Sequence, residues 1–330
     1  FSDEDIYRLP PMVQARNERG FLYLRDLAIR DMIAGSVGYR TDKYTEIMGI
    51  DGKPIRIPVI YLADNVTFAK EVFDGKDFSM PIYFSLTSDP DVFRGWEDYM
   101  VLECMLLRLT GERKKKIAGW GSVDAEWTDK VITGGAENPV EFVKQASLDY
   151  KKDLKDDTWS YRSLFDDRVP KNEDHLRLLR NYASAVLTLA AHYASEGNYE
   201  RAEKLFDLGE MFSMKSLEGL GREVERDPQI FAIRLSRGYI KMRMGQFNDA
   251  EDILNKYRPF LPQNEYNWRL ALVKLYSGDI KSAQELTNTL INFVPEFDPI
   301  WGLSLDTLYT LIPQDSLTNV SYRLFTKGQF

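Results

Sequence analysis

One cysteine, Cys104, and two histidines, His175 and His192, are all that this 330-residue chain offers of the usual disulfide and soft-metal side chains. A lone thiol excludes an intrachain disulfide and a thiolate metal cluster. The histidines lie far apart in one helical stretch, which argues against a histidine-based zinc site. No metal and no other cofactor is expected. Long apolar runs are missing as well. No stretch reaches the roughly 18 apolar residues of a membrane span, and no signal peptide is recognisable. Positive charge is in deficit: 43 Lys and Arg face 51 Asp and Glu, a net charge of −8, which disfavours nucleic acid as a partner. An apolar fraction of 44% with 28% charged residues is nonetheless that of a chain able to bury a core. The length suggests two domains. The chain opens at Phe1 without Met, so it is expected to be a piece of a longer or processed polypeptide.

Motifs of chemistry are equally sparse. Gly35-Ser36-Val37-Gly38 has glycines at a suggestive spacing, but it follows a helix and lacks the Gly-Lys-Ser/Thr ending of a phosphate loop. A helix stop is the simpler reading, and Gly219-Leu220-Gly221 is no stronger. Neither a Gly-x-Ser-x-Gly elbow nor a His-Glu-x-x-His pair occurs. Acidic pairs at Asp3-Glu4-Asp5, Asp89/Asp91, Asp156-Asp157 and Asp166-Asp167 complete no glycosidase or calcium signature and read as solvated surface. Arg113-Lys114-Lys115-Lys116 reads as an exposed basic loop, with anionic lipid head groups as the alternative contact. Asn65-Val66-Thr67 and Asn319-Val320-Ser321 fit the glycosylation acceptor pattern, a triplet that chance supplies often.

What is present is a repeat. Gly197-Asn198-Tyr199-Glu200-Arg201-Ala202, Gly245-Gln246-Phe247-Asn248-Asp249-Ala250 and Gly278-Asp279-Ile280-Lys281-Ser282-Ala283 share one pattern, spaced by 48 and 33 residues. A period near ~34 residues with Gly, a bulky apolar residue and Ala is the signature of tetratricopeptide helix pairs. The Gly ends a first helix with a positive φ. The Ala lets the two helices touch where a larger side chain would overpack by about 1–3 kcal/mol. Tyr199, Phe247 and Ile280 are expected to plug the seam. Helices are expected at 173–195, 199–217, 228–244, 247–260, 264–277, 280–293 and 299–311, with Pro262 and Pro295 closing the second and third pairs and Trp301 in a helix capping the stack. Aligned on the Gly, Leu235, Tyr239, Met242, Arg243, Trp268, Leu272 and Tyr276 fall on the face formed by first helices. That face also gathers Arg177, Arg180, Arg234, Arg237, Lys241, Arg269 and Lys274. The sharp reading is a groove for an extended, partly acidic peptide with aromatic anchors. The plain reading buries the aromatics between pairs and leaves the bases in water.

The first half alternates helix and strand signals. Helices are expected over 17–34, over 64–73 with Asp64 as cap, over 96–109 and over 139–150 with Asn138 as cap. Strands are expected over 59–62 and 81–87. The fold class that results is a small α/β domain at 1–165 followed by an all-α tetratricopeptide-like domain at 166–330, mostly α overall.

The order of several short pieces carries a resemblance. Leu24-Arg25-Asp26 opens a helix and Pro81-Ile82-Tyr83-Phe84-Ser85 forms a strand. Trp96-Glu97-Asp98-Tyr99 then leads a helix containing Glu103 and ending Leu107-Arg108-Leu109. Tyr161-Arg162-Ser163-Leu164, Asn181-Tyr182 and the repeat helices follow. In this order the chain resembles the soluble carboxy-terminal region of a family of bacterial multi-spanning membrane proteins. That family is glycosyltransferase-like and includes a human protein O-mannosyltransferase. The segments 47–77 and 112–137 depart from its pattern. The resemblance implies an extracytoplasmic tail tethered through an upstream membrane part that would hold the catalytic carboxylates. No catalytic residue carries over, so this fragment is expected not to be an enzyme. Its partner would be an acceptor protein, a peptide or the membrane part of the same chain. A carbohydrate- or phosphate-processing enzyme with its site in the first domain, and a cytosolic scaffold, are the alternatives.

Overall fold

The computed structural model describes residues 7–16, 20–114, 122–148, 161, 163–290, 298 and 300–311. The acidic runs at Asp3-Glu4-Asp5 and Asp156-Asp157, Arg162, Lys115 and Lys116, Pro295 and the triplet at Asn319 lie outside the described residues. The protein is mostly α, with a small sheet region first and a helical region after it. It divides into two compact units, 1–116 and 117–330, so the division falls well before the 165/166 boundary expected from the sequence.

The first unit begins with the short hairpin β1 (Met12–Gln14) and β2 (Phe21–Tyr23), which runs into helix α1 (Leu24–Ser36). Asp26 sits in the first turn and accepts from the Tyr23 N–H at 3.0 Å, satisfying one of the free donors of the helix start. Strands β3 (Tyr44–Met48) and β4 (Pro54–Pro58) form a second hairpin. Residues 59–62 are a 3-10 turn instead of the expected strand; the extended structure lies just upstream, in β4. Helix α2 (Asn65–Val72) is capped as expected, the Thr67 N–H donating to Asp64 Oδ1 at 2.8 Å.

Strands β5 (Ile82–Ser85), β6 (Met100–Glu103) and β7 (Leu106–Leu109) form an antiparallel sheet in the order β5-β7-β6. The helix expected over 96–109 is thus a 3-10 turn followed by a hairpin. Glu103 pairs with Leu106, leaving Cys104-Met105 as a two-residue loop in which Cys104 takes a φ of 60°. The core of the unit is aromatic: Phe68, Phe73, Trp96 and Tyr99 meet edge to face or tilted, with centroids 5.1–6.2 Å apart.

The second unit opens with the short strand β8 (Ser122–Val123), helix α3 (Ala125–Thr133) and helix α4 (Pro139–Leu148). Three helix pairs follow: α5 (Glu173–Ser195) with α6 (Tyr199–Gly219), α7 (Pro228–Arg243) with α8 (Phe247–Tyr257), and α9 (Gln263–Tyr276) with α10 (Ile280–Asn288). A short α11 (Leu305–Tyr309) comes last among the described residues. The turn within each pair uses the recurring Gly in the left-handed region, with φ of 80°, 78° and 86° at Gly197, Gly245 and Gly278. Ala202, Ala250 and Ala283 are fully buried. Tyr199 and Phe247 are half-buried, whereas Ile280 is 45% exposed.

Helices α3 and α4 belong to this unit through contacts distant in sequence. Arg201, inside the first repeat motif, places Nη2 2.5 Å from Asp129 Oδ1 and Nε 3.0 Å from Oδ2, and it reaches the Ala136 carbonyl at 2.7 Å. Tyr193 OH donates to the same Asp129 carboxylate at 2.8 Å; burial, then that carboxylate, pushes its pKa up to about 12. A bidentate guanidinium–carboxylate pair fixes α3 in one orientation on the first helix pair.

Candidate functional site

The face built by the first helices of the pairs, α5, α7 and α9, is where the sequence placed a groove. The structure fills it. After α10 the chain returns with Asp298 and Ile300, and Trp301 inserts between α7 and α9. The indole of Trp301 is fully buried and donates from Nε1 to the Leu235 carbonyl at 2.9 Å. It meets Tyr239 at 5.7 Å and Trp268 at 6.1 Å, both edge to face. Gly238 makes room for it: a Cβ there would lie 3.3 Å from the Trp301 ring and 3.3 Å from Ile253. Trp301 therefore stands in a 3-10 turn, Trp301–Ser304, on the side of the first helices, and is not the helical end cap that the sequence suggested.

This arrangement corrects most of the expected groove residues. Leu235, Tyr239, Met242, Trp268 and Leu272 are buried core. Arg243 and Tyr276 are half-buried. The Arg243 guanidinium lies against three tyrosine rings, Tyr199 at 5.1 Å, Tyr276 at 5.4 Å and Tyr239 at 5.7 Å, one from each helix pair. Its Nη1 also donates to Tyr239 OH at 2.9 Å. Burial opposes its charge, but the tyrosines outweigh it and hold the pKa above the ordinary arginine value.

The bases expected to line the groove are engaged elsewhere. Arg234 and Arg237 from α7 reach Glu210 on α6 at 2.7 and 3.0 Å, and Arg237 also reaches Asp207 at 2.9 Å. Lys241 pairs with Glu203 at 2.6 Å, and Lys274 of α9 pairs with Glu251 of α8. Arg180 pairs with Asp227 at 2.6 Å and Arg177 with Glu173. The basic bias of the first helices is thus mostly one rail of an ion-pair ladder, whose other rail is the second helix of the preceding pair.

Arg269 is an instructive exception. Its Nη1 binds Glu265 Oε2 at 2.6 Å, and its Nη2 binds Asp298 Oδ2 at 2.9 Å on the returning segment. Asp298 in turn accepts from the N–H groups of Ile300 and Trp301 at 3.0 and 2.9 Å. Asp298 and Trp301 of the chain itself occupy the first-helix face where the sharp reading of the sequence expected a separate peptide.

A second candidate lies wholly in the first unit. A polar cavity of about 340 Å³ is lined by Arg16, Asp26, Arg30, Asp64, Asn65, Asp91, Arg94 and Trp96, with Leu22, Ile29 and Val66 among its apolar walls. Its floor is organised by Arg30 of α1, which is 1% exposed. Arg30 Nη1 donates to the carbonyls of Tyr61 and Ala63, both at 2.7 Å, and Nη2 donates to Asn65 Oδ1 at 2.7 Å. The guanidinium also stacks 4.8 Å from the Phe68 ring. Burial pushes its pKa down to about 10, against the pull of Asp26 and Asp64. Asn65 passes the network on, its amide donating to the Arg94 carbonyl at 2.8 Å, while Trp96 Nε1 donates to the Asn65 carbonyl at 2.7 Å. The Asn65 side chain of the glycosylation-like triplet is thus a structural bridge. Three arginines balance three aspartates here, an electrically neutral but strongly hydrogen-bonding lining. Sequence reasoning missed this cavity because its residues come from four separate segments and form no motif. Asp26, Asp64, Asn65, Asp91 and Trp96 each drew notice in the sequence for some other reason, none as a member of a site.

Among the described residues, no group of three or more His, Cys, Asp or Glu side chains is placed to hold a metal ion. No described helix is long and apolar enough to cross a membrane. Comparison of the chain with protein-family models, with curated proteins and with solved structures returned no match.

Proposed function

We propose that the chain is a non-catalytic interaction module, the extracytoplasmic tail of a membrane glycosyltransferase-like protein, which engages a partner or positions an acceptor polypeptide. The observation that carries the module reading is the row of three helix pairs, joined by the same Gly-to-Ala turn chemistry, with a Trp-anchored segment lying on the face of the first helices. Stacks of tetratricopeptide type use that face to receive extended segments. The membrane setting rests on the ordered resemblance of the sequence. The helix at α1 and the strand at β5 support it, and the hairpin at 100–109 counts against one of its pieces.

The test is fractionation of the native protein in intact cells, together with incubation of the purified chain with nucleotide sugars, glycosides and phosphate esters. Recovery with membranes, cleavage by protease added outside the cell and no turnover support the reading. Recovery in the cytosol overturns the setting, and turnover overturns the non-catalytic assignment.

A second reading is favoured by the charge-balanced cavity around Arg30, which has the size and donor–acceptor density of a site for a small polar ligand such as a sugar. Saturable binding of a monosaccharide, abolished by Arg94→Ala, would give the first unit that role.

A further inference from the structure

The hairpin β3–β4 forms a sheet of its own, and its two outer edges differ. Tyr44 pairs with Pro58, Glu46 with Arg56 and Met48 with Pro54. At either end of the ladder the Val59 N–H donates to the Lys43 carbonyl at 3.0 Å and the Gly49 N–H donates to the Lys53 carbonyl at 2.9 Å. In an antiparallel pair the bonded positions alternate. The inward groups are therefore those of Lys43, Thr45, Ile47 and Gly49, and the outward groups on β3 are those of Tyr44, Glu46 and Met48. On β4 the outward positions are Pro54, Arg56 and Pro58. Two of these three have no N–H, so the β4 edge is closed to strand pairing. The β3 edge keeps all three donors and acceptors, and among the described residues no hydrogen bond reaches the main-chain groups of Tyr44, Glu46 or Met48.

The side chains at the open edge say what would fit. Tyr44, Glu46 and Met48 all lie on the exposed face of the hairpin, Tyr44 at 42% and Met48 at 62% exposure, while Ile55 and Ile57 face the core. Arg56 stands across from Glu46 but turns its guanidinium onto the Tyr44 ring, 4.2 Å from the centroid. The Glu46 carboxylate is consequently exposed and forms no ion pair among the described residues. Two copies of β3 pairing antiparallel about Glu46 would set carboxylate against carboxylate, which disfavours a self-paired dimer.

We infer that the outer edge of β3 accepts an extended peptide strand with a basic residue opposite Glu46 and apolar residues two positions to either side, opposite Tyr44 and Met48. Main-chain hydrogen bonds would supply the affinity and the alternating side chains the selectivity. The inference is independent of the helical unit and of the function proposed for it.

The experiment uses the full chain and two labelled, end-blocked peptides, Thr-Val-Thr-Arg-Thr-Val-Thr and its counterpart with Glu in place of Arg, read by fluorescence anisotropy and amide exchange. The Arg peptide is expected to bind about fivefold to tenfold more tightly than the Glu peptide, the span that one cross-strand charge pair gives when reversed. Glu46→Lys should invert that order. The amides of Tyr44, Glu46 and Met48 should gain exchange protection on binding, and Glu46→Pro, which removes the central donor, should abolish binding of both peptides. Equal affinities with no protection at those three amides overturn the inference, as does concentration-dependent dimerisation that protects the same amides without peptide. Circular dichroism of each variant separates loss of the edge from loss of the fold, and Glu46→Lys tests the charge rule if Glu46→Pro unfolds.

Discussion

The two units hold their shape by opposite means. In the first, the elements are short, and partners come from far along the chain: Arg30 fastens carbonyls 31 and 33 residues away, and Trp96 closes over Phe68 and Phe73. In the second, each helix packs chiefly on the next, over fully buried Ala202, Ala250 and Ala283, and ion pairs join one pair to its neighbour. One unit concentrates its stability in a few nodes whose loss leaves buried groups unsatisfied. The other spreads it over repeated contacts, apart from the insertion at Trp301 and the fastening of α3 by Arg201 on Asp129. The contrast shows that local packing and long-range polar fastening can coexist in one chain, and that a substitution is felt according to which of them it meets.

That contrast can be broken in four places. Trp301→Ala should be the most damaging change in the helical unit, about 3–5 kcal/mol, since it empties an indole-sized site under Leu235, Tyr239 and Trp268. Urea unfolding followed by helical ellipticity checks it; a loss under 1 kcal/mol, by order of magnitude, would mean the segment is loosely seated. Arg30→Met should cost about 2–4 kcal/mol in the first unit, because the Tyr61 and Ala63 carbonyls and the Asn65 amide oxygen lose their donor. Arg30→Lys should not restore it, since an ammonium cannot span three acceptors with a planar fork. Full rescue by lysine in thermal melts would show that charge alone matters there.

Asp227→Ala should cost about 1–2 kcal/mol, removing both the cap of α7 and the Arg180 partner. Burial raises the Asp227 pKa, but Arg180 and the N–H groups of Ile230 and Gln229 prevail, and the net shift is downward. Its contribution is therefore complete above the ordinary carboxylate pKa and is lost as pH falls through the depressed folded-state value. The stability difference between wild type and variant should shrink in acid, and a constant difference down to pH 2 would contradict the assignment. The smallest effect, about 0.5 kcal/mol, is expected for Lys241→Ala, one rung of the ladder, and added salt should reduce it further. A salt-independent loss would point to packing of the lysine stem.

Much of the helical unit is readable in advance because its signals are local. A Gly, a bulky residue and an Ala at fixed offsets mark each turn; the structure adds Asn172, Asn198 and Asp227 as caps at helix starts. The hairpin at 100–109 escapes such reading. Its apolar run suits helix and strand alike, and the turn that decides between them places Cys104, not Gly, in the left-handed region. The unit boundary escapes for another reason: Arg201 and Asp129 are 72 residues apart, and nothing in either neighbourhood announces the other. Period alone grouped Leu235, Tyr239, Trp268 and Leu272 on one face, but it gave no sign that Trp301 would cover them. Whether a buried aromatic faces another helix or a returning segment depends on where residue 301 ends up, which periodicity does not encode.

The placement of that segment has a consequence for any rival. A ligand joined to its receptor by the chain itself acts at an effective concentration on the order of millimolar. A free polypeptide offering the same acid and the same indole would compete against that figure, however well it fits Leu235 and Arg269. Partners at ordinary cellular abundance would gain the face by adding contacts beyond those of Asp298 and Trp301, so the resident segment sets a threshold of affinity below which an encounter leaves no trace.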